Sequence, residues 1–386
     1  MNVSAFIAGR LRFKGRVAVT ATAISFFVII IAVSVSAGFR EEIREGVAEI
    51  TGDIVISDRG ANYFSGSEPI SSEPSFLPDI LSLKGVREVN PVICRTGIVR
   101  RGEEIRGAVF KGTEADTVSL GARVPASLAE SLGVGVGDGL NVWFVGEKIK
   151  PRRFTVTEIY DSLIDSDEGL VVYVPASDMR RLNGWTEDEA SALEVTLESG
   201  YRSRKAMREM TERIGAIVSM SPDEEENGLG AVSSAESYAQ LFDWLDLIDY
   251  NVVAILLLMT LVAGFNMISG LLILLFRNIS TIGVLKSLGM TDRSVAGVFL
   301  RVSARITAVG MLIGNAAALL FCAVQGSTHL LRLDPANYFV SFVPVSVDIP
   351  HILLADAVAF AAIMLLLLIP SLFISKIDPA DTVRAA

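Results

Sequence analysis

Four stretches without a single charged side chain constrain this chain more than any other feature. Val17 to Ala37 is 21 residues long, Val252 to Phe276 is 25, Ile306 to Val324 is 19 and Ala357 to Ile374 is 18. About 20 apolar residues in a helix cross a hydrocarbon core of about 30 Å, and a soluble core helix rarely needs as many. The runs therefore predict four transmembrane helices. Half of the 386 residues are hydrophobic, yet a fifth are charged, so the charge lies almost wholly between the runs.

Its distribution predicts an orientation. Arg10, Arg12, Lys14 and Arg16 precede the first run; Arg277, Lys286, Arg293, Arg301 and Arg305 separate the second from the third; Lys376 and Arg384 follow the fourth. These segments hold 11 basic residues against Asp292, Asp378 and Asp381, whereas residues 40–250 hold 22 basic and 38 acidic. The positive-inside rule then places both termini and the 277–305 loop in the cytoplasm. The first run is too long for a cleaved signal, despite the small residues Val35-Ser36-Ala37, and reads as an anchor.

The expected fold class is thus an integral membrane protein of four transmembrane α-helices, with a large α/β extracytoplasmic domain between helices 1 and 2. The segments read as follows: 1–16 a cytoplasmic surface helix, 17–39 the first span, 40–250 the external domain, 251–276 the second span, 277–301 a cytoplasmic loop, 302–324 the third span, 325–350 an external loop, 351–375 the fourth span and 376–386 a cytoplasmic tail. Within the external domain, strand-period segments at Val86–Val92, Cys94–Arg100, Glu104–Lys111, Leu140–Val145, Arg153–Tyr160 and Gly169–Val174 alternate with helical segments such as Tyr201–Ile214. The pattern suggests nested lobes with a β-rich insert at about 115–185. Helical periodicity continues outward through Arg40–Ile50 and inward from Ala235, so two helical stalks should carry the domain.

Catalytic chemistry finds no foothold. Cys94 and Cys322 are the only cysteines, and His329 and His351 the only histidines, too few for a disulfide framework or a zinc set. No phosphate-cradling G-x-x-x-x-G-K-[ST] loop is present, and Gly133-Val-Gly-Val-Gly-Asp-Gly139 leads into a strand, whereas a dinucleotide fingerprint must open a helix. No catalytic residue, no metal site, no cofactor and no nucleic acid is expected.

In the 277–301 loop, Ile279, Ile282, Leu285 and Leu288 recur at helical spacing up to the stop at Gly289, an apolar-faced helix suited to gripping a partner. Asn266 is a lone amide in the second run, which predicts a bond to another helix.

The motifs taken in order resemble the lipoprotein-releasing permeases LolC and LolE, within the wider MacB and FtsX type of ABC transporter permease. Phe6-Ile-Ala-Gly-Arg10, Gly38-Phe39, Leu257–Asn266, Ile282-Gly-Val-Leu-Lys-Ser-Leu-Gly289, Phe342–Val347, Ile369-Pro-Ser371 and Pro379-Ala-Asp-Thr-Val-Arg384 carry the resemblance, with Leu132–Asp138 and Phe154–Ile159 in the external domain. It implies a non-catalytic permease subunit that extracts acylated lipoproteins from the inner membrane of a Gram-negative bacterium. ATP and Mg would be bound by a separate LolD-like ATPase dimer, gripped by Ile279, Ile282, Gly283, Leu285, Lys286, Leu288 and Gly289. A second permease copy or a sister subunit would enclose a lipoprotein cavity, with Phe26, Phe27, Ile30, Leu257 and Leu261 as candidate walls against acyl chains and membrane lipid. Glu147, Lys148, Ile149, Lys150 and Pro151 match the family's hairpin for a periplasmic carrier, although the hairpin is short here. Thr281 stands where the family usually has an acid, which removes an ionic contact at that position. MacB-like efflux and FtsX-like transmission to a partner across the membrane are the alternative functions.

Overall fold

A computed structural model describes residues 16–59, 68–144, 149–162, 170–224, 226–334 and 338–371. The surface-helix segment 1–15 and the tail 376–386 lie outside them. The longer helices are α1 (Arg16–Thr51), α2 (Ala126–Leu132), α3 (Ala176–Asn183), α4 (Arg204–Ser219), α5 (Ala239–Arg277), α6 (Ile279–Ser287), α7 (Asp292–Thr328) and α8 (Ile349–Leu366). The chain divides into a helical unit of residues 1–40, 245–331 and 343–386, and an α/β unit of residues 41–244 and 332–342.

In the helical unit, Arg16–Thr51, Ala239–Arg277, Asp292–Thr328 and Ile349–Ser371 are long and apolar enough to cross a membrane. Val28-Ile-Ile-Ile31 would favour a strand in water, but lipid requires every backbone group to be satisfied within its own segment, which selects helix. Caps fix the ends. Thr291 accepts from the Ser294 amide at the start of α7, and Asp348 accepts from the His351 amide at the start of α8. Helix α7 therefore begins ten residues before the 302 expected from the charge pattern, because Arg293 and Arg301 extend a helix as well as they flank a span.

Close approaches hold the bundle together. A Cβ on Gly314 would lie 2.4 Å from the Ala23 carbonyl oxygen, and one on Gly310 would lie 2.8 Å from Thr22. This small-xxx-small pair seats α1 directly on α7. Gly38 passes beneath the 343–348 segment, where a Cβ would meet the Pro344 carbonyl at 2.5 Å, and the Ser346 amide donates to the Ser34 carbonyl at 3.0 Å. Phe26, Ile29, Ile30, Ile282, Phe299 and Ile363 are among the buried side chains at its centre.

The α/β unit contains β1 (Ile54–Asp58), β2 (Ile70–Ser71), β3 (Val86–Arg101), β4 (Glu104–Thr113), β5 (Gly121–Pro125), β6 (Gly139–Phe144), β7 (Lys150–Tyr160), β8 (Val171–Pro175), β9 (Glu189–Ala190), β10 (Ala192–Leu197) and β11 (Leu229–Ser233). An open sheet runs β11-β1-β10-β3, and a ring runs β3-β4-β8-β5-β7-β6 and closes on β3. The two lobes thus share one long strand. Residues 86–92 pair with β10, and residues 93–101 with β4. The two expected strands Val86–Val92 and Cys94–Arg100 are thus one, continuous through Ile93. Pro91 is tolerated because β3 there has only β10 beside it, as on an edge. The ring consequently draws on residues 93–175, starting upstream of the 115 expected for the β-rich insert. Its centre packs Phe110, Phe144 and Phe154, with the rings of Phe110 and Phe144 5.0 Å apart, edge to face.

Two local expectations change. Helix α4 runs on through Gly215 to Ser219, past the Ile214 at which the expected helical segment ends: Ser203 caps its start, and the packing of Ile214 and Val218 outweighs about 1 kcal/mol of glycine cost. Strand β11 begins inside a segment, 219–231, that reads as polar loop, and runs two residues beyond it. It is a short edge strand bearing Gly230, paired to β1 alone. The glycine run after α2 is a turn into β6, with Gly137 at φ 92°.

Candidate coupling and transport surfaces

Helix α6 leaves α5 at Asn278, whose side-chain amide donates back to the Leu274 carbonyl at 2.8 Å. The helix ends where Gly289 adopts φ 90° and donates to the Lys286 carbonyl. The seven residues expected to grip an ATPase do not share one fate. Ile282 and Gly283 are buried, and Leu285 packs half-buried against the bundle, so this side of α6 holds the helix to its own chain. Lys286 is drawn into an ion pair with Asp292 at 2.8 Å. Ile279, at 38% exposure, and Leu288, at 76%, face outward, and Phe276 and Val284 join them. The exposed apolar edge along α6 and its two ends is therefore Phe276 at the end of α5, Ile279, Val284 and Leu288. Val284 lies outside the periodic series Ile279, Ile282, Leu285 and Leu288, whose members divide between the inward and outward sides.

The candidate cavity walls also separate. Phe26 and Ile30 are fully buried within the helical unit and Phe27 partly so, because α1 packs through them onto its neighbours. Phe26 and Ile30 are accordingly part of the bundle's own packing. Leu257, at 62%, and Leu261, at 36%, lie exposed on α5 with Leu258, Val262 and Phe265. Asn266 shares that exposed side, and its amide has no hydrogen-bond partner among the described residues. At the end of the apolar runs Asp249 of α5 accepts from Arg40 of α1, and from the Ser36 hydroxyl at 2.7 Å.

An acid inside the helical bundle escaped the sequence reading. Asp356 stands just before the fourth charge-free run, inside the 351–375 span, with no role expected of it. It lies in the second turn of α8, 5% exposed, and accepts from the Asn315 amide of α7 at 2.5 Å. A carboxyl flanked by Leu353-Leu354-Ala355 and Ala357-Val358-Ala359 was the available signal.

In the α/β unit, β6 and β7 form the hairpin matched to carrier contact. Glu147 and Lys148 lie outside the described residues. Ile149 is exposed, Lys150 donates to the Leu182 carbonyl at 2.7 Å, and Pro151 pairs with Trp143 in the ladder. Among the described residues no cluster of three or more metal-ligating side chains exists, and both cysteines are free and buried.

Helices fit to cross a membrane, a two-lobed α/β unit and an outward apolar edge beside the α5–α6 junction are the architecture of a membrane permease. The FtsX-like permease C-terminal model matches residues 253–379, and the MacB-like periplasmic core domain model matches residues 17–213. The chain belongs to the family of permeases that carry a MacB-like periplasmic core domain. It is 22% identical to the lipoprotein-releasing system transmembrane protein LolC of Xylella fastidiosa, over 97% of this chain and 95% of that one. The same identity and coverage relate it to LolC of Neisseria meningitidis serogroup B. Among solved structures, the periplasmic region of MacB from Actinobacillus actinomycetemcomitans is 16% identical and covers 52% of this chain and 95% of its own, at a TM-score of 0.31.

Proposed function

We propose that the chain is the permease subunit of an ABC transporter that extracts acylated lipoproteins from the inner membrane and hands them to a periplasmic carrier. The observation that carries this reading is the exposed side of α5, where an unpartnered Asn266 interrupts a largely apolar surface. An amide left in lipid is costly and seeks a bond across helices, so a second permease copy or a sister subunit completes this face. The similarity to LolC along nearly the whole chain supports lipoprotein release over efflux or signalling.

The reading assigns both termini to the cytoplasm and the α/β unit to the periplasm, between the first and second of four spans. A separate ATPase docks on Phe276, Ile279, Val284 and Leu288, and binds ATP and Mg. Leu257 and Leu261 border the acyl path. The short β6–β7 hairpin, with Ile149 and Pro151 exposed, contacts the carrier. Each acyl methylene withdrawn from the bilayer costs about 0.8 kcal/mol, so lifting a multi-chain anchor exceeds what a binding domain offers and calls for ATP.

The test is release of a labelled lipoprotein from proteoliposomes that hold permease, ATPase and carrier. Leu257→Arg should block release while assembly persists; undiminished release rules out this wall. A wild-type complex that exports a soluble compound, or activates a partner without releasing lipoprotein, overturns the reading.

A further inference from the structure

The last turn of α1 belongs to the α/β unit, and its final carbonyls have no partner within the helix. Lys111 of β4 supplies one. Its ammonium donates to the Glu49 carbonyl at 3.0 Å and the Ile50 carbonyl at 3.1 Å, and its third proton goes to Glu194 Oε2 of β10 at 2.6 Å. All three donors of the ammonium are thereby used. The Tyr173 hydroxyl of β8 adds a bond to the Glu49 carbonyl at 3.2 Å. Lys111 and Glu194 are 4% and 6% exposed.

A cation suits a helix C-terminus. A buried ion pair, however, is a poor way to gain stability, since two apolar side chains of similar volume serve packing as well. What apolar side chains cannot do is hold backbone carbonyls. Lys111 ties the end of α1 to β4 and, through Glu194, to β10, so one ammonium joins the helix to the ring and to the open sheet.

We infer that Lys111 is a positioning residue that fixes the C-terminal end of α1 to both lobes, so that displacement of α1 reaches ring and open sheet together. The inference rests on the reading of α1 as the first span of a transport permease.

The experiment compares the full chain with its Lys111→Met, Glu194→Leu double variant, which leaves no orphaned buried charge. Both are assembled with ATPase and carrier in proteoliposomes. Hydrogen exchange in peptides covering 46–52 should quicken by about tenfold or more, with protection elsewhere in the α/β unit unchanged. ATP hydrolysis should persist while lipoprotein release falls by about tenfold. Unchanged exchange at 46–52 overturns the clamp. Quickened exchange across the whole unit reduces the pair to a structural one and overturns it too. Local quickening with full release overturns the coupling. A wild type that releases nothing strikes the transport reading instead, and the exchange data still decide the clamp.

Discussion

Asn315 of α7 donates its side-chain amide to Asp356 of α8 at 2.5 Å, inside the helical bundle. One oxygen of each residue, Asn315 Oδ1 and Asp356 Oδ1, stays without a partner among the described residues. Polar bonds between helices of a folded membrane protein contribute about 0.6 kcal/mol on average and about 1.7 kcal/mol at most, while an orphaned buried polar group costs about 1–3 kcal/mol. Asp356→Leu should therefore lower thermal stability in detergent more than the Asn315→Leu, Asp356→Leu pair does. Equal losses in the single and double variants would show that the two side chains do not depend on each other.

The outward edge of α6 leads to a second expectation. Val284→Asp and Leu288→Asp should each release the ATPase, since full burial of such a side chain contributes about 1.5–3 kcal/mol. Leu285→Asp should instead unsettle the permease, because Leu285 packs on its own bundle. Stoichiometry after co-purification, set beside the thermal midpoint of the permease alone, separates the two effects.

Gly38 allows no side chain. Gly38→Ala puts a methyl group 2.5 Å from the Pro344 backbone, and overpacking of this kind costs about 1–3 kcal/mol. The midpoint of thermal unfolding should fall accordingly, whereas Gly133→Ala, at a position with nothing near its Cβ but with φ 61°, should show only the smaller backbone strain.

A pH dependence follows from Glu226 in the α/β unit. Burial alone would raise its carboxyl, but the Ser221 and Ser75 hydroxyls and the Ser75 amide hold it below the ordinary glutamate value of 4.5. The folded state then resists protonation more than the unfolded chain does. The stability it contributes is present above 4.5 and is lost as pH falls through the lowered folded value. Denaturant unfolding followed between about pH 3 and pH 7 should show a shallower acid-side loss for Glu226→Gln than for the native chain. Identical acid limbs would assign that loss to other carboxylates.

The apolar runs were legible because lipid imposes length and the absence of charge on any helix that faces it, and Val252–Phe276 meets both demands. Which way a side chain turns was not. Phe26 and Leu257 look alike in sequence, yet the glycines Gly310 and Gly314 draw α1 inward while α5 stays half bare. Such choices depend on partners remote in the chain. The same reason hid Asp356, whose neighbour lies 41 residues away, and Lys111, which reads as the polar end of a strand until Glu49 and Glu194 surround it. Strand β3 reads as two segments, Val86–Val92 and Cys94–Arg100, because its halves pair with different partners, β10 and β4, that lie far apart in the chain.

That strand has one more consequence. Val92 and Ala192 face each other across the ladder, so the chain leaves the open sheet and re-enters it at directly opposed positions. Topologically, residues 93–191 occupy the place of a hairpin turn, which two residues are able to fill. The ring is a graft in a turn. Its contents can grow, shrink or be exchanged among relatives while the sheet that bears it keeps its register, because an insertion at a turn leaves the flanking ladder intact.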